Sequence, residues 1–180
     1  AYHVHGTDGI GVKLPSPTIQ PLDLAAHDFI VESSHAFKGD LSIIAIGPLT
    51  NLAAALKAEP RISDWIAQIV VMGGAMQIPG NITPHAEFNI YNDPVSAQVV
   101  LNSGIPVTLI GLDVTTQIIV STSDLPWIQS ETMTAQLAIR ILKNQLASAN
   151  KHCLHDPLAV ISALRPNLLG YVRCSIDVQL

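Results

Sequence analysis

A chain of 180 residues is long enough for one domain with a sizeable core. Hydrophobic residues make up 48% and charged residues only 13%, which suits an α/β protein with an apolar surface or a large contact area. The net charge of -5 and the lack of a basic cluster exclude a nucleic-acid backbone as partner, and no run approaches the ~18 to 20 continuous apolar residues of a membrane span.

The chain opens Ala1-Tyr2-His3-Val4-His5-Gly6 without an initiator Met, then turns through Gly6-Thr7-Asp8-Gly9-Ile10-Gly11. This has the look of a sequence entered in its middle, with no charged segment and apolar stretch of a leader. On its own His5 reads as a turn histidine. Three prolines between Lys13 and Pro21 indicate an exposed loop. Apolar residues at Leu24, Ala25, Phe29, Ile30 and Ala36 predict a helix from Leu24 to about Phe37. Leu41 to Ile46 is apolar without alternation, the pattern of a strand covered on both faces of a parallel sheet.

That strand ends at Gly47-Pro48-Leu49-Thr50-Asn51-Leu52. Carbonyls at the carboxyl edge of a parallel sheet can coordinate a hard cation, although Gly-Pro also makes a plain turn into a helix. A helix from Leu52 to Lys57 stops before Pro60, and Ile62 to Ala67 makes a short turn. The central strand, Ile69 to Met72, ends in Gly73-Gly74. Beyond it Asn81, Glu87, Asn89 and Asn92 share a segment with Pro79, Gly80 and Pro84, which predicts a polar loop. Amides beside one carboxylate suit a polyhydroxylated ligand, whose hydroxyls each need a donor and an acceptor; Asn and Asp are equally the residues of simple turns.

Asp93-Pro94 predicts a capped helix to about Asn102, ended by Ser103-Gly104, and Pro106 to Ile110 a further strand. Strand, helix and strand in alternation imply a mostly parallel sheet with flanking helices. Asp113 reads first as a support or cap. Thr132 to Ala149 predicts a helix with an apolar packing stripe. Asp156 followed by Pro157 fits an N-cap and first turn, and His155 beside it could give a proton to a leaving group. Tyr171 to Leu180 alternates at Val172, Cys174, Ile176 and Val178 and predicts a strand. Two cysteines, Cys153 and Cys174, do not make a disulfide framework and point to a reducing, cytoplasmic compartment.

Met72-Gly73-Gly74-Ala75, Gly80-Asn81, Glu87-Phe88-Asn89 and Asn92-Asp93-Pro94, in this order and spacing, resemble the inosine-uridine-preferring nucleoside hydrolase family. His5-Gly6 with Gly9 and Gly11, Gly47-Pro48-Leu49-Thr50-Asn51-Leu52-Ala53, Leu112-Asp113-Val114-Thr115 and His155-Asp156-Pro157-Leu158-Ala159-Val160 are similar to further motifs of that family. The resemblance implies a Rossmann-like nucleoside hydrolase fold, residues 1–180 forming a single partial domain, and hydrolysis of the N-glycosidic bond of a ribonucleoside. It also implies a calcium ion held by the main-chain oxygen of Thr50 and the carboxylate of Asp156. Asn81, Glu87 and Asn89 would grip ribose hydroxyls, Met72 would line the sugar face, His5 would touch the ligand, and His155 would be the general acid facing the base.

The family opens with a strand ending in Asp-x-Asp-x-Gly-x-Asp-Asp, which supplies most calcium carboxylates and the base that takes a proton from water. Here Asp23, Asp28, Asp40 and Asp64 are scattered. The expectation is therefore a piece of a longer hydrolase, incomplete at the N-terminus, with calcium bound weakly or not at all. Exposed sheet edges would be covered by a homo-oligomer or another association. The alternative is a non-catalytic nucleoside- or pentose-binding remnant, or a structural fragment.

Overall fold

The computed structural model describes residues 10, 12–14 and 16–180, which fall into two units. Asp23–Gln117 together with His155–Leu180 makes one; the other is built around Ile118–Leu154. In chain order the first unit contains α1 (Ala26–Ala36), β1 (Leu41–Ala45), α2 (Thr50–Ala58), a 3-10 turn (Pro60–Asp64) and β2 (Ile66–Met72). It continues with α3 (Phe88–Asn92), α4 (Pro94–Leu101), β3 (Val107–Ile110) and the single turn α5 (Leu112–Thr115).

The three strands form one parallel sheet in the order β1-β2-β3. Ala45 lies beside Val71 and Met72 beside Ile110, so the carboxyl ends of neighbouring strands arrive at one rim. As the middle strand, β2 is covered on both faces, which is why it reads as a continuous apolar run. Ile69 and Val71 join Leu52, Ala53 and Leu56 of α2 and Ala97 and Val100 of α4 in one cluster. Val70 and Met72 point the other way, into a cluster with Ile110 and Leu112. Both Ile69 and Val71 are wholly buried, and each such side chain contributes about 1.5 to 3 kcal/mol. The outer edges of β1 and β3 are unpaired among the described residues.

Local signals fix the helix ends. Asp93 caps α4 by accepting the Ser96 amide at 3.0 Å, with Pro94 at the first position where no amide is needed. After α4 the chain turns at Gly104, whose φ of 83° is left-handed. At the amino end of β2, the Trp65 carbonyl accepts the Gly39 amide at 2.7 Å. Lys38 Nζ and the Arg61 guanidinium lie 4.3 and 5.4 Å from the Trp65 ring centre, with His35 edge-on at 5.3 Å. Arg61 also binds Glu59 at 2.6 Å and holds that carboxyl down at about 2.

In the second unit β4 (Ile119–Ser121) pairs antiparallel with β5 (Lys151–Cys153), placing Ile119 opposite Cys153. Between them lie a 3-10 turn (Leu125–Trp127) and α6 (Met133–Ser148), capped by Thr132 Oγ1 accepting the Ala135 amide at 3.3 Å. The chain then returns to the first unit as α7 (His155–Leu164), whose Leu158 and Ala159 enter the cluster of Val70, Met72, Ile110 and Leu112. No helix among the described residues is long and apolar enough to cross a membrane.

Three expectations change. Tyr171–Leu180 forms no strand: Val172 is 88% exposed, and only Val178 is buried, in the cluster around Ile69. Alternation makes a strand only where a neighbour pairs with it. The segment after Glu87 is not a loop but the short helix α3, whose cap is Glu87 itself. Finally, α7 starts at His155, so Asp156 lies inside the first turn instead of capping it.

Candidate active site

The loops after β1, β2 and β3 leave the sheet at the same rim, the edge at which parallel α/β sheets build ligand sites. After β1 the chain crosses Ile46-Gly47-Pro48-Leu49 into α2. Thr50 is the first residue of that helix, so its carbonyl enters the helical ladder; the carbonyls of 46–48 lie between the two regular elements. The Thr50 hydroxyl donates to Asp93 Oδ2 at 2.5 Å. This hydroxyl, and then the Ser96 amide, hold the Asp93 carboxyl below its ordinary range.

After β2 the backbone is shaped by two carboxylates. Glu87 is 2% exposed; its Oε2 accepts the amides of Gly74 and Ile90, both at 3.1 Å, and its Oε1 accepts that of Asn89 at 2.9 Å. Gly74 has φ +87°, a conformation that favours glycine and turns its amide toward the acid. Asp113, at the start of α5, accepts the amides of Met76 at 2.9 Å and Gln77 at 2.7 Å. The support role expected of Asp113 is thus what its bonds show. Gly80 closes the loop against Ala86, where any β-carbon would run into backbone.

Within this frame Asn81 Oδ1 accepts the Phe88 amide at 2.8 Å, and Asn89 Nδ2 donates to the Met72 carbonyl at 3.0 Å. The remaining amide atoms, Asn81 Nδ2 and Asn89 Oδ1, have no protein partner among the described residues. One is a donor and the other an acceptor. Asn89 is thus bonded directly to Met72 and Glu87, and Asn81 reaches the Phe88 amide between Glu87 and Asn89. Glu87 differs from expectation in that most of its acceptor capacity serves the backbone.

The first turn of α7 adds the other two predicted residues. Leu158 and Ala159 pack with Met72 and Ile110, the last residues of β2 and β3, which brings His155 and Asp156 to the same rim. Asp156 is exposed and His155 half-buried. His155 Nδ1 lies 2.7 Å from Oγ1 of Thr115, a fully buried residue of α5. His5 lies outside the described residues. Sequence reasoning assigned no role to Thr115; the Leu-Asp-Val-Thr motif was visible, but its bond reaches across 40 positions.

These residues do not by themselves fit a calcium ion, which takes about six to eight oxygens. Glu87 and Asp113 are engaged with backbone amides, and no group of three or more His, Cys, Asp or Glu able to hold a metal is gathered among the described residues.

Comparison with known proteins agrees with this geometry. A profile described as inosine-uridine preferring nucleoside hydrolase matches residues 1–180. The chain is 35% identical to a probable uridine nucleosidase 2 of Arabidopsis thaliana, over 98% of this chain and 57% of that protein. It is 36% identical to the pyrimidine-specific ribonucleoside hydrolase RihA of Escherichia coli O1:K1 / APEC, over 99% of this chain and 60% of that one. Among solved structures it superposes on a purine-preferring ribonucleoside hydrolase from Gardnerella vaginalis with a TM-score of 0.89 and 37% identity, covering 99% of this chain and 59% of the other. The plant nucleoside hydrolase PpNRh1 gives a TM-score of 0.90 at 32% identity, again over 99% and 59%. The chain thus spans 57 to 60% of the length of these relatives. Its α/β architecture, with a parallel sheet and flanking helices, is theirs. The chain belongs to the inosine-uridine preferring nucleoside hydrolase family.

Proposed function

We propose that the protein to which these residues belong hydrolyses the N-glycosidic bond of ribonucleosides, releasing ribose and the free base. The observation that carries this reading is two oriented amides beyond β2, Asn81 Nδ2 and Asn89 Oδ1, each held by a bond from its other atom, to Phe88 and to Met72. A vicinal diol asks for this mixture of donor and acceptor, in a fixed arrangement that loses little entropy on binding.

In the reaction a water oxygen bonds to C1′ while the glycosidic bond breaks and its electron pair leaves with the base nitrogen. Asn81 and Asn89 hold the sugar hydroxyls, and Met72, buried in the cluster with Ile110 and Leu112, acts from behind them by accepting Asn89 Nδ2 at its carbonyl. His155 meets the departing base and supplies hydrogen bonding to its developing negative charge. The attacking water gives up one proton to solvent and the departing base nitrogen takes one up, so that ribose and the neutral base result. Asp156 would offer one carboxylate to a calcium ion, which takes about six to eight oxygens.

The test is incubation with inosine and with uridine, with and without calcium, followed by a reducing-sugar assay. Sugar release from either nucleoside supports the hydrolase, and its loss on adding a chelator adds a bound divalent cation to that reading. Nucleoside binding without release supports the second reading, a pentose-binding remnant.

A further inference from the structure

We propose that Thr115 is a positioning residue that fixes the tautomer of His155, keeping the proton of the neutral ring on Nε2 and its lone pair on Nδ1. Thr115 is 0% exposed, and its Oγ1 sits 2.7 Å from His155 Nδ1. Either atom can donate in such a pair, so the hydroxyl's alternatives decide the direction. The neighbouring Thr116 gives its hydroxyl to the Leu112 carbonyl at 2.7 Å. Thr115 makes no such bond; its amide reaches the Gly111 carbonyl, but His155 Nδ1 is the hydroxyl's sole partner among the described residues.

A buried hydroxyl whose proton lacks an acceptor is costly, and such groups are rare in folded proteins. The hydroxyl therefore donates, Nδ1 accepts, and the ring proton resides on Nε2. The same turn also anchors the loop after β2, because Asp113 holds the amides of Met76 and Gln77. One helical turn thus sets both the loop that carries Asn81 and the ring that faces the base. The role of His155 toward a departing base rests on the hydrolase reading above; the tautomer does not.

The experiment is nitrogen NMR of the histidine rings in 15N-labelled protein, at a pH where the rings are neutral, with His155 assigned by its loss in His155→Gln. Wild type and Thr115→Ser are expected to show an unprotonated Nδ1 and a protonated Nε2, and Thr115→Val the averaged signals of exchanging tautomers. In the sugar-release assay Thr115→Val should lower kcat on the order of 10-fold with KM little changed, and Thr115→Ser should retain wild-type turnover. A protonated Nδ1 in wild type, or an unaltered tautomer in Thr115→Val, overturns the proposal. If Thr115→Val fails to fold, the wild-type and Thr115→Ser spectra still decide it. Absence of sugar release by wild type counts against the hydrolase reading alone, since the ring spectra are read without turnover.

Discussion

Glu87 and Asp156 both belong to motifs of one family, and the fold treats them in opposite ways. Glu87 is nearly sealed from solvent and accepts three backbone amides, whereas Asp156 is exposed in the first turn of α7. Between these extremes, Asp113 accepts two amides from a half-buried position. A carboxylate sealed among amide donors shapes a loop; an exposed one in the first turn of a helix can be reached by a ligand.

Removing each acid in turn sharpens that contrast. Glu87→Ala should lower the unfolding free energy by about 3 kcal/mol, because three amides lose their acceptor and α3 loses its cap. Urea denaturation reads this change, and an effect below about 1 kcal/mol would break the comparison. Asp113→Asn keeps one acceptor oxygen for two amides and should cost about 1 kcal/mol in the same measurement. Asp156→Ala, at an exposed side chain, should change stability less than Glu87→Ala. Its mark is on the ligand: nucleoside affinity in titration calorimetry should fall about 10-fold. Unchanged affinity would favour a generic sugar-binding module.

What the sequence disclosed follows from the physics of each segment. Strands β1, β2 and β3 were legible because continuous apolar runs bounded by Gly and Pro have few other uses at that length. The start of α4 was legible because Asp93-Pro94 acts locally. By contrast α3 was hidden, since Asn89 and Asn92 are weak helix formers and its stability comes from Glu87 reaching back to Gly74 as well as forward to Ile90. The last ten residues misled in the other direction, because no strand pairs with them among the described residues. At the site, residue types were readable while roles were not. Thr115 and Asp113 act through bonds to positions far away in the chain, to His155 in one case and to Met76 and Gln77 in the other.

The indole of Trp65 stands at the amino end of β2 with Lys38 and Arg61 against its ring, while the rim begins beyond Met72. A seven-residue strand separates the two by roughly 20 Å. Its fluorescence is therefore a gauge of whether the sheet is assembled, blind to whether a sugar has arrived. In a Trp127→Phe variant, which removes the exposed second indole, a change in ligand binding at constant Trp65 emission can be assigned to the rim and not to a loosened fold.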